Sequence, residues 1–148
     1  MFKKKKIINR TFGEVRFMNG WQSVDQFRIT LWNNENRIYI RANALTLKDD
    51  ITSQQEEAYL SFISTLNEKE KIIEKILEEQ FPNLSTDELI ARFIPEEVIF
   101  CRNGEYGICI GDQEDEDCAI QSDADIAISF VPEVKFFASQ EEYLAFLY

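Results

Sequence analysis

The chain has 148 residues and no histidine. Ser-His-Asp and Cys-His nucleophile systems, histidine general bases and histidine-bearing zinc sites all require the imidazole, so each is excluded. Its three cysteines, Cys101, Cys109 and Cys118, are an odd number without metal-ligand spacing and read as reduced, structural thiols. No apolar run approaches the ~20 residues that a membrane-spanning helix needs. After Lys3 to Lys6, the stretch Ile7-Ile8-Asn9-Arg10-Thr11 lacks the apolar segment of a secretory signal. A cytoplasmic protein without membrane contact is the expectation. Positive charge is also scarce, with 16 Lys and Arg against 27 Asp and Glu and a net charge of −11. Four lysines and one arginine fall within the first ten residues, so 1–10 reads as a basic tail. Thirteen acids follow from Glu96 onward, against Arg102 and Lys135. Such a field repels phosphate backbones, which excludes nucleic acid, and favours a basic protein partner.

What the chain does have is a 45% hydrophobic content, enough for one domain over 1–148 with a substantial core. The stretch Thr52 to Phe81 organises it. Tyr59, Phe62, Ile63, Leu66, Ile73, Ile76, Leu77 and Phe81 repeat at helical spacing, with Glu56, Glu57, Glu74 and Glu78 off the stripe. Thr52 with Gln55 and Ser53 with Glu56 both have capping-box spacing, and Pro82 marks the end. A straight helix of this length would span about 43 Å, more than a domain of this size is wide. The lapse of the stripe at Asn67 to Lys71, with Asn67 and Glu70 forming another cap, predicts a kink or two consecutive helices there.

Flanking segments read as strands. Gly13 to Phe17 alternates towards an Asn19-Gly20 turn, and a second strand starts near Trp21. A bulge is expected near Asp25. A four-residue loop over Asn33 to Asn36 would pair Leu31 with Ile38 and Ile29 with Ile40, placing the aliphatic residues on one face. Ser85 with Glu88 caps a short helix ended by Pro95, and strands return at Val98 to Cys101, Tyr106 to Ile110, Asp125 to Val131 and Val134 to Phe137. A two-residue Asn103-Gly104 turn would set Cys101 opposite Tyr106 and Cys109 opposite Val98, on different faces, so that the two cannot bond. Ser139 with Glu142 caps a terminal helix. The class is α+β: a mainly antiparallel sheet, a long kinked or split central helix and short C-terminal helices.

Three groups of residues could carry function. The acidic run Asp112, Glu114, Asp115, Glu116 and Asp117 reads as a solvated connection or as a contact for a basic partner. As a cation site it would use Asp112, Glu114 and Asp123, but it lacks the glycine and terminal glutamate of a calcium loop. Asp125 with Glu133-Val134-Lys135 has the acid and E-x-K spacing of magnesium-dependent nucleases, with Pro132 placing Glu133 in a turn. Trp32, Arg37 and Tyr39, with Arg28 and Arg41, share the face opposite the aliphatic residues. Aromatics mixed with arginine anchor interfaces, although the same mixture also packs beneath a second layer.

The order of short motifs resembles a known group. Phe12-Gly13-Glu14-Val15 is followed by Trp21, Gln55-Glu56-Glu57-Ala58-Tyr59, Gly104-Glu105-Tyr106-Gly107-Ile108, the acidic run, and Ser139-Gln140-Glu141-Glu142. The pattern is similar to small bacterial domains of unknown function, some of whose relatives lie beside polymorphic toxins and are proposed as immunity proteins. Cys118-Ala119 stands where that group often carries a histidine-glycine pair, so no role of the pair transfers. The resemblance implies a cytoplasmic bacterial protein and no established activity, and no cofactor is expected. Three readings follow: a non-enzymatic, immunity-like interaction domain, a carboxylate-based metal hydrolase using Asp112, Glu114, Asp123, Asp125 and Glu133, or a purely structural domain. Oligomeric state is open.

Overall fold

The computed structural model describes residues 5–113 and 125–147. Nine strands and four helices follow one another as β1 (Lys6–Asn9), β2 (Gly13–Phe17), β3 (Trp21–Ser23), β4 (Phe27–Leu31), β5 (Asn34–Ala42), α1 (Ser53–Ser64), α2 (Leu66–Gln80), α3 (Thr86–Arg92), β6 (Phe93–Phe100), β7 (Tyr106–Asp112), β8 (Ile126–Val131), β9 (Lys135–Phe137) and α4 (Gln140–Leu147). The sheet order is β1-β2-β3-β5-β6-β7-β8-β9, with β4 also paired to β5. Every pairing is antiparallel except β5 with β6. A parallel pair needs a crossover, and α1, α2 and α3 supply it. The fold is α+β with a mainly antiparallel sheet.

The crossover starts at Thr52. Its hydroxyl accepts the Gln55 N–H at 3.1 Å while Gln55 Oε1 accepts the Thr52 N–H at 2.8 Å. The fully buried Gln55 also donates Nε2 to the carbonyls of Asn43 and Phe100, both at 2.9 Å. One side chain thus caps the helix and ties the ends of β5 and β6. Glu56 does not pair with Ser53 as a second cap.

The helical stretch is two helices meeting at Thr65, where φ is −115° and ψ 26°. The break therefore precedes the expected one, and Asn67 sits in the first turn of α2. Phe62, Ile73 and Leu77 are fully buried, each contributing about 1.5–3 kcal/mol by leaving water. Ile63 is 39% exposed, off the buried stripe, because α1 turns a narrower side to the sheet. Ala58 and Tyr59 complete its contact. Tyr59 stacks on Phe12 with ring centres 4.5 Å apart, and Phe62 meets Phe100 and Tyr106 edge-on.

Residues 5–10 are not a tail. Lys6 to Asn9 pair with Gly13 to Arg16, and Arg10 donates Nε and Nη2 to the two oxygens of Glu56 at 3.0 and 3.1 Å. Thr11 Oγ1 donates to the same carboxylate at 2.8 Å. Glu56 is 8% exposed and clamps the β1–β2 turn to α1, a role that its place off the apolar stripe concealed.

Two loop lengths differ from expectation. The β4–β5 turn is Trp32-Asn33 alone, both at positive φ (49° and 61°), so Leu31 faces Asn34 and Ile38 faces Phe27. The slip is even, so Ile29, Leu31, Ile38 and Ile40 still share the core face. The β6–β7 loop has three residues, not two. Cys101 N–H donates to the Glu105 carbonyl at 2.8 Å, with Gly104 at φ 93°. That odd slip exchanges faces: Phe100 faces Tyr106, Val98 faces Ile108, and Cys109 faces Glu97. Cys101 and Cys109 therefore share a face. They remain free thiols, because Cys101 lies four residues beyond the partner of Cys109, about 13 Å along the strand. Cys118 is outside the described residues. The strand also begins earlier than expected, at Phe93, with Pro95 inside it at an irregular register; Pro at a bulge breaks no ladder bond.

Helices α1, α2 and α3 cover one face of the sheet. On the other, α4 covers β8 and β9, and Tyr143 packs among Ile99, Cys109, Ala127 and Phe137. Ser139 Oγ accepts the Glu142 N–H at the start of α4. Gly107 admits this close approach: a Cβ there would overlap the Tyr143 hydroxyl and stand 2.6 Å from the Ile128 carbonyl.

Two outcomes are expected. Gly107→Ala should lower the urea-unfolding free energy by about 2–3 kcal/mol, because the carbonyl cannot retreat without breaking the β7–β8 ladder. A change below about 0.5 kcal/mol would show that the Ile128 carbonyl and the Tyr143 ring do not close on Gly107. The second concerns acid stability. The Arg10 and Thr11 hydrogen bonds hold the Glu56 carboxyl below the ordinary range. A depressed carboxylate adds stability above its unfolded value of about 4.3, lost as pH falls through the folded value. Glu56→Gln should therefore flatten the fall of the denaturation midpoint below about pH 5. Superimposable acid limbs would argue against the clamp.

Candidate functional site

The carboxylates of α2 define one side of the molecule. Glu70, Glu74 and Glu78 lie one turn apart and face β4, the strand whose outer edge has no neighbouring strand. Glu70 accepts the Thr30 N–H at 2.6 Å and Glu74 the Trp32 N–H at 2.6 Å. Glu78 accepts the Trp32 indole N–H at 3.0 Å. Carboxylates satisfying edge N–H groups close a sheet border that would otherwise recruit another strand. Trp32 is thereby held against α2 and the core, and is not part of a surface with Arg37 and Tyr39 as expected. Its positive φ at the turn turns the ring away from that face.

Arg28, Arg37, Tyr39 and Arg41 do share the second face. Arg28 and Arg37 are cross-strand partners, and both reach Glu35 Oε1, at 3.0 and 3.6 Å. Arg41 Nε donates to Glu97 at 3.2 Å, and its Nη1 donates to the Met18 and Asn19 carbonyls. Burial pushes the Glu97 carboxyl up and Arg41 draws it back. The register Lys6–Arg16–Gln22–Arg41 brings Arg16 onto the same face. Arg16 was missed by sequence reasoning, since only the pairing of β2 with β3 reveals it. Its Nε is enclosed and has no hydrogen-bond partner among the described residues.

Because α4 stops at β8 and β9, the outward side chains of β2, β3 and β5 remain open. They surround a groove of about 260 Å³ lined by Arg16, Met18, Gln22, Ser23, Val24 and Tyr39. Met18 and Tyr39 are 39% and 37% exposed. The groove thus offers a guanidinium, an amide and two apolar walls, a set suited to gripping a partner chain.

The acidic residues of the last third behave differently. Arg92 binds Asp112 through both guanidinium donors, at 2.9 and 3.0 Å, and Asp125 Oδ1 accepts the Asp112 N–H at 3.2 Å. Burial raises Asp125 and Glu96 above the ordinary carboxylate range, and Gln140 Nε2 donates to Glu96 at 3.1 Å. Glu114, Asp115, Glu116, Asp117 and Asp123 lie outside the described residues. Among the described residues, no group of three potential ligands could hold a metal ion. The nuclease-like set does not converge. Asp125 precedes β8 and Glu133 lies beyond its other end, in the turn before β9, where its carbonyl accepts the Ser129 hydroxyl. Lys135 lies over the Phe137 ring at 5.1 Å.

Burial pushes the Cys101 thiol up to about 11, with Glu105 adding to it, and raises Cys109 further. Both are neutral thiols near pH 7 and poor nucleophiles. No described helix is long and apolar enough to cross a membrane. Compared with known proteins, the chain matches no family model, no curated protein and no solved structure.

Iodoacetamide at neutral pH should leave Cys101 and Cys109 unmodified in the folded protein and label both in denaturant, as peptide mapping by mass spectrometry would read. Rapid labelling of native Cys101 would instead reveal a reactive thiolate.

Proposed function

We propose that this protein is a non-enzymatic interaction domain that holds a protein partner on the open half of the sheet's second face. The groove among Arg16, Met18, Gln22 and Tyr39 carries this reading. Aromatic, methionine and arginine side chains are enriched at binding surfaces, and here they stand together beside a concavity. The remaining chemistry is engaged elsewhere: Asp112 with Arg92, Glu56 with Arg10, and the thiols beneath α4. The acidity of the last third acts at longer range, steering a basic region of the same partner. On the resemblance described above, that partner would be a toxin and the protein its cytoplasmic immunity partner. A metal-dependent hydrolase is the weaker reading, since its carboxylates are divided between opposite ends of β8 or paired with arginine.

A photo-crosslinking residue in place of Tyr39, in host lysate, should yield a discrete adduct that a crosslinker at the exposed Glu79 of α2 does not. Addition of Arg41→Gln should reduce it. Equal adducts from both positions, or none from Tyr39, would overturn the reading.

A further inference from the structure

We propose that the groove takes an acidic peptide segment, with a carboxylate seated on the Arg16 guanidinium. The inference rests on the interaction reading above and names the chemistry of the occupant. Outward positions of β1, β2, β4, β5 and β6 carry Lys6, Arg16, Arg28, Arg37 and Arg41 against Glu14, Glu35, Glu96 and Glu97. This face is therefore net positive by one in a chain whose total is −11. Glu35 serves Arg28 and Arg37, and Glu97 serves Arg41. Arg16, which lines the groove, has no ion-pair partner among the described residues.

A carboxylate is the acceptor that fits. Its two oxygens match a guanidinium edge, and the short methylene stem of Asp or Glu can lie between Met18 and Tyr39. The Gln22 side chain, at the cross-strand position to Arg16, supplies an amide donor for the same segment. The groove, about 260 Å³, has room for one or two side chains and not for a folded domain. Nucleic acid is disfavoured, because a face of net charge +1 on a protein of −11 does not neutralise a run of phosphates.

The test is fluorescence anisotropy at about 0.15 M salt, where the Debye length is about 8 Å and local contacts outweigh the global field. The probes are fluorescein-labelled hexaglutamate, hexalysine and single-stranded hexathymidylate. Hexaglutamate should bind saturably, and Arg16→Gln should weaken it about tenfold, the loss expected for one charge-assisted hydrogen bond. Met18→Glu, at the exposed lip, should abolish binding, and serves where Arg16→Gln does not fold. Tighter binding of hexalysine or hexathymidylate, or hexaglutamate affinity unchanged in both variants, would overturn the proposal. A Tyr39 crosslink that persists when hexaglutamate fails to bind would leave the interaction reading standing and remove only the acidic occupant.

Discussion

The parallel contact between β5 and β6 is the constraint from which the rest of the architecture follows. Two adjacent parallel strands cannot be joined by a turn, so some fifty residues must leave the end of β5 and return to the start of β6. Those residues form α1, α2 and α3 and cover the core face as they return. Gln55 fastens the crossover where it departs, bonding the Thr52 amide and the carbonyls of Asn43 and Phe100 from a fully buried position. Truncating it would leave two carbonyls and the helix cap short of partners in a dry site, where each unmet group costs more than a typical hydrogen bond contributes. With three helices on one face, only α4 is left for the other, and it reaches β8 and β9. The open half-sheet is thus a consequence of topology, and its arginines and tyrosine occupy positions where aliphatic residues would invite aggregation.

The acidic excess also divides by location. Glu56, Glu70, Glu74, Glu78, Glu97 and Asp112 accept hydrogen bonds from backbone, arginine or indole donors and hold elements together. Charged acceptors make the stronger class of hydrogen bond, so these residues do structural work that composition counted as surface charge. Glu74 and Glu78 show the difference. Their place off the apolar stripe of α2 pointed to solvent, whereas they bind the Trp32 backbone and indole N–H groups just past β4, while Glu70 takes the Thr30 N–H on β4 itself.

How far the fold was legible follows from the range of each signal. The boxes at Thr52 and Ser85, the Ser139 cap and the turn at Asn19-Gly20 are local, and all are present. Loop lengths were misread where an unusual residue takes a strained backbone. Trp32 at positive φ is a poor turn former by propensity and is accepted because Glu74 and Glu78 bind its two N–H groups. At Asn103-Gly104 the dipeptide fits both a two-residue and a three-residue loop, and the choice inverted the faces of Ile99 and Cys109. The arginine face was legible in Arg28, Arg37, Tyr39 and Arg41 because one strand pair encodes it. Arg16 was not, because its membership depends on β2 lying beside β3 and β3 beside β5.

Two electrostatic scales coexist on this molecule and act on different steps of association. The charge of −11 sets the field beyond a Debye length and slows the approach of any acidic chain. Within the groove the proposed ligand would meet the Arg16 guanidinium between Met18 and Tyr39, where the local sign would outweigh the global field. Long-range repulsion acts mainly on the association rate, and the seated contact on the dissociation rate. Added salt screens the first before it weakens the second, because the partly enclosed guanidinium is less exposed to mobile ions. On the proposed reading, a protein of this sign with a basic recess would reject indiscriminate polyanions and retain an acidic segment that presents apolar stems to match the walls.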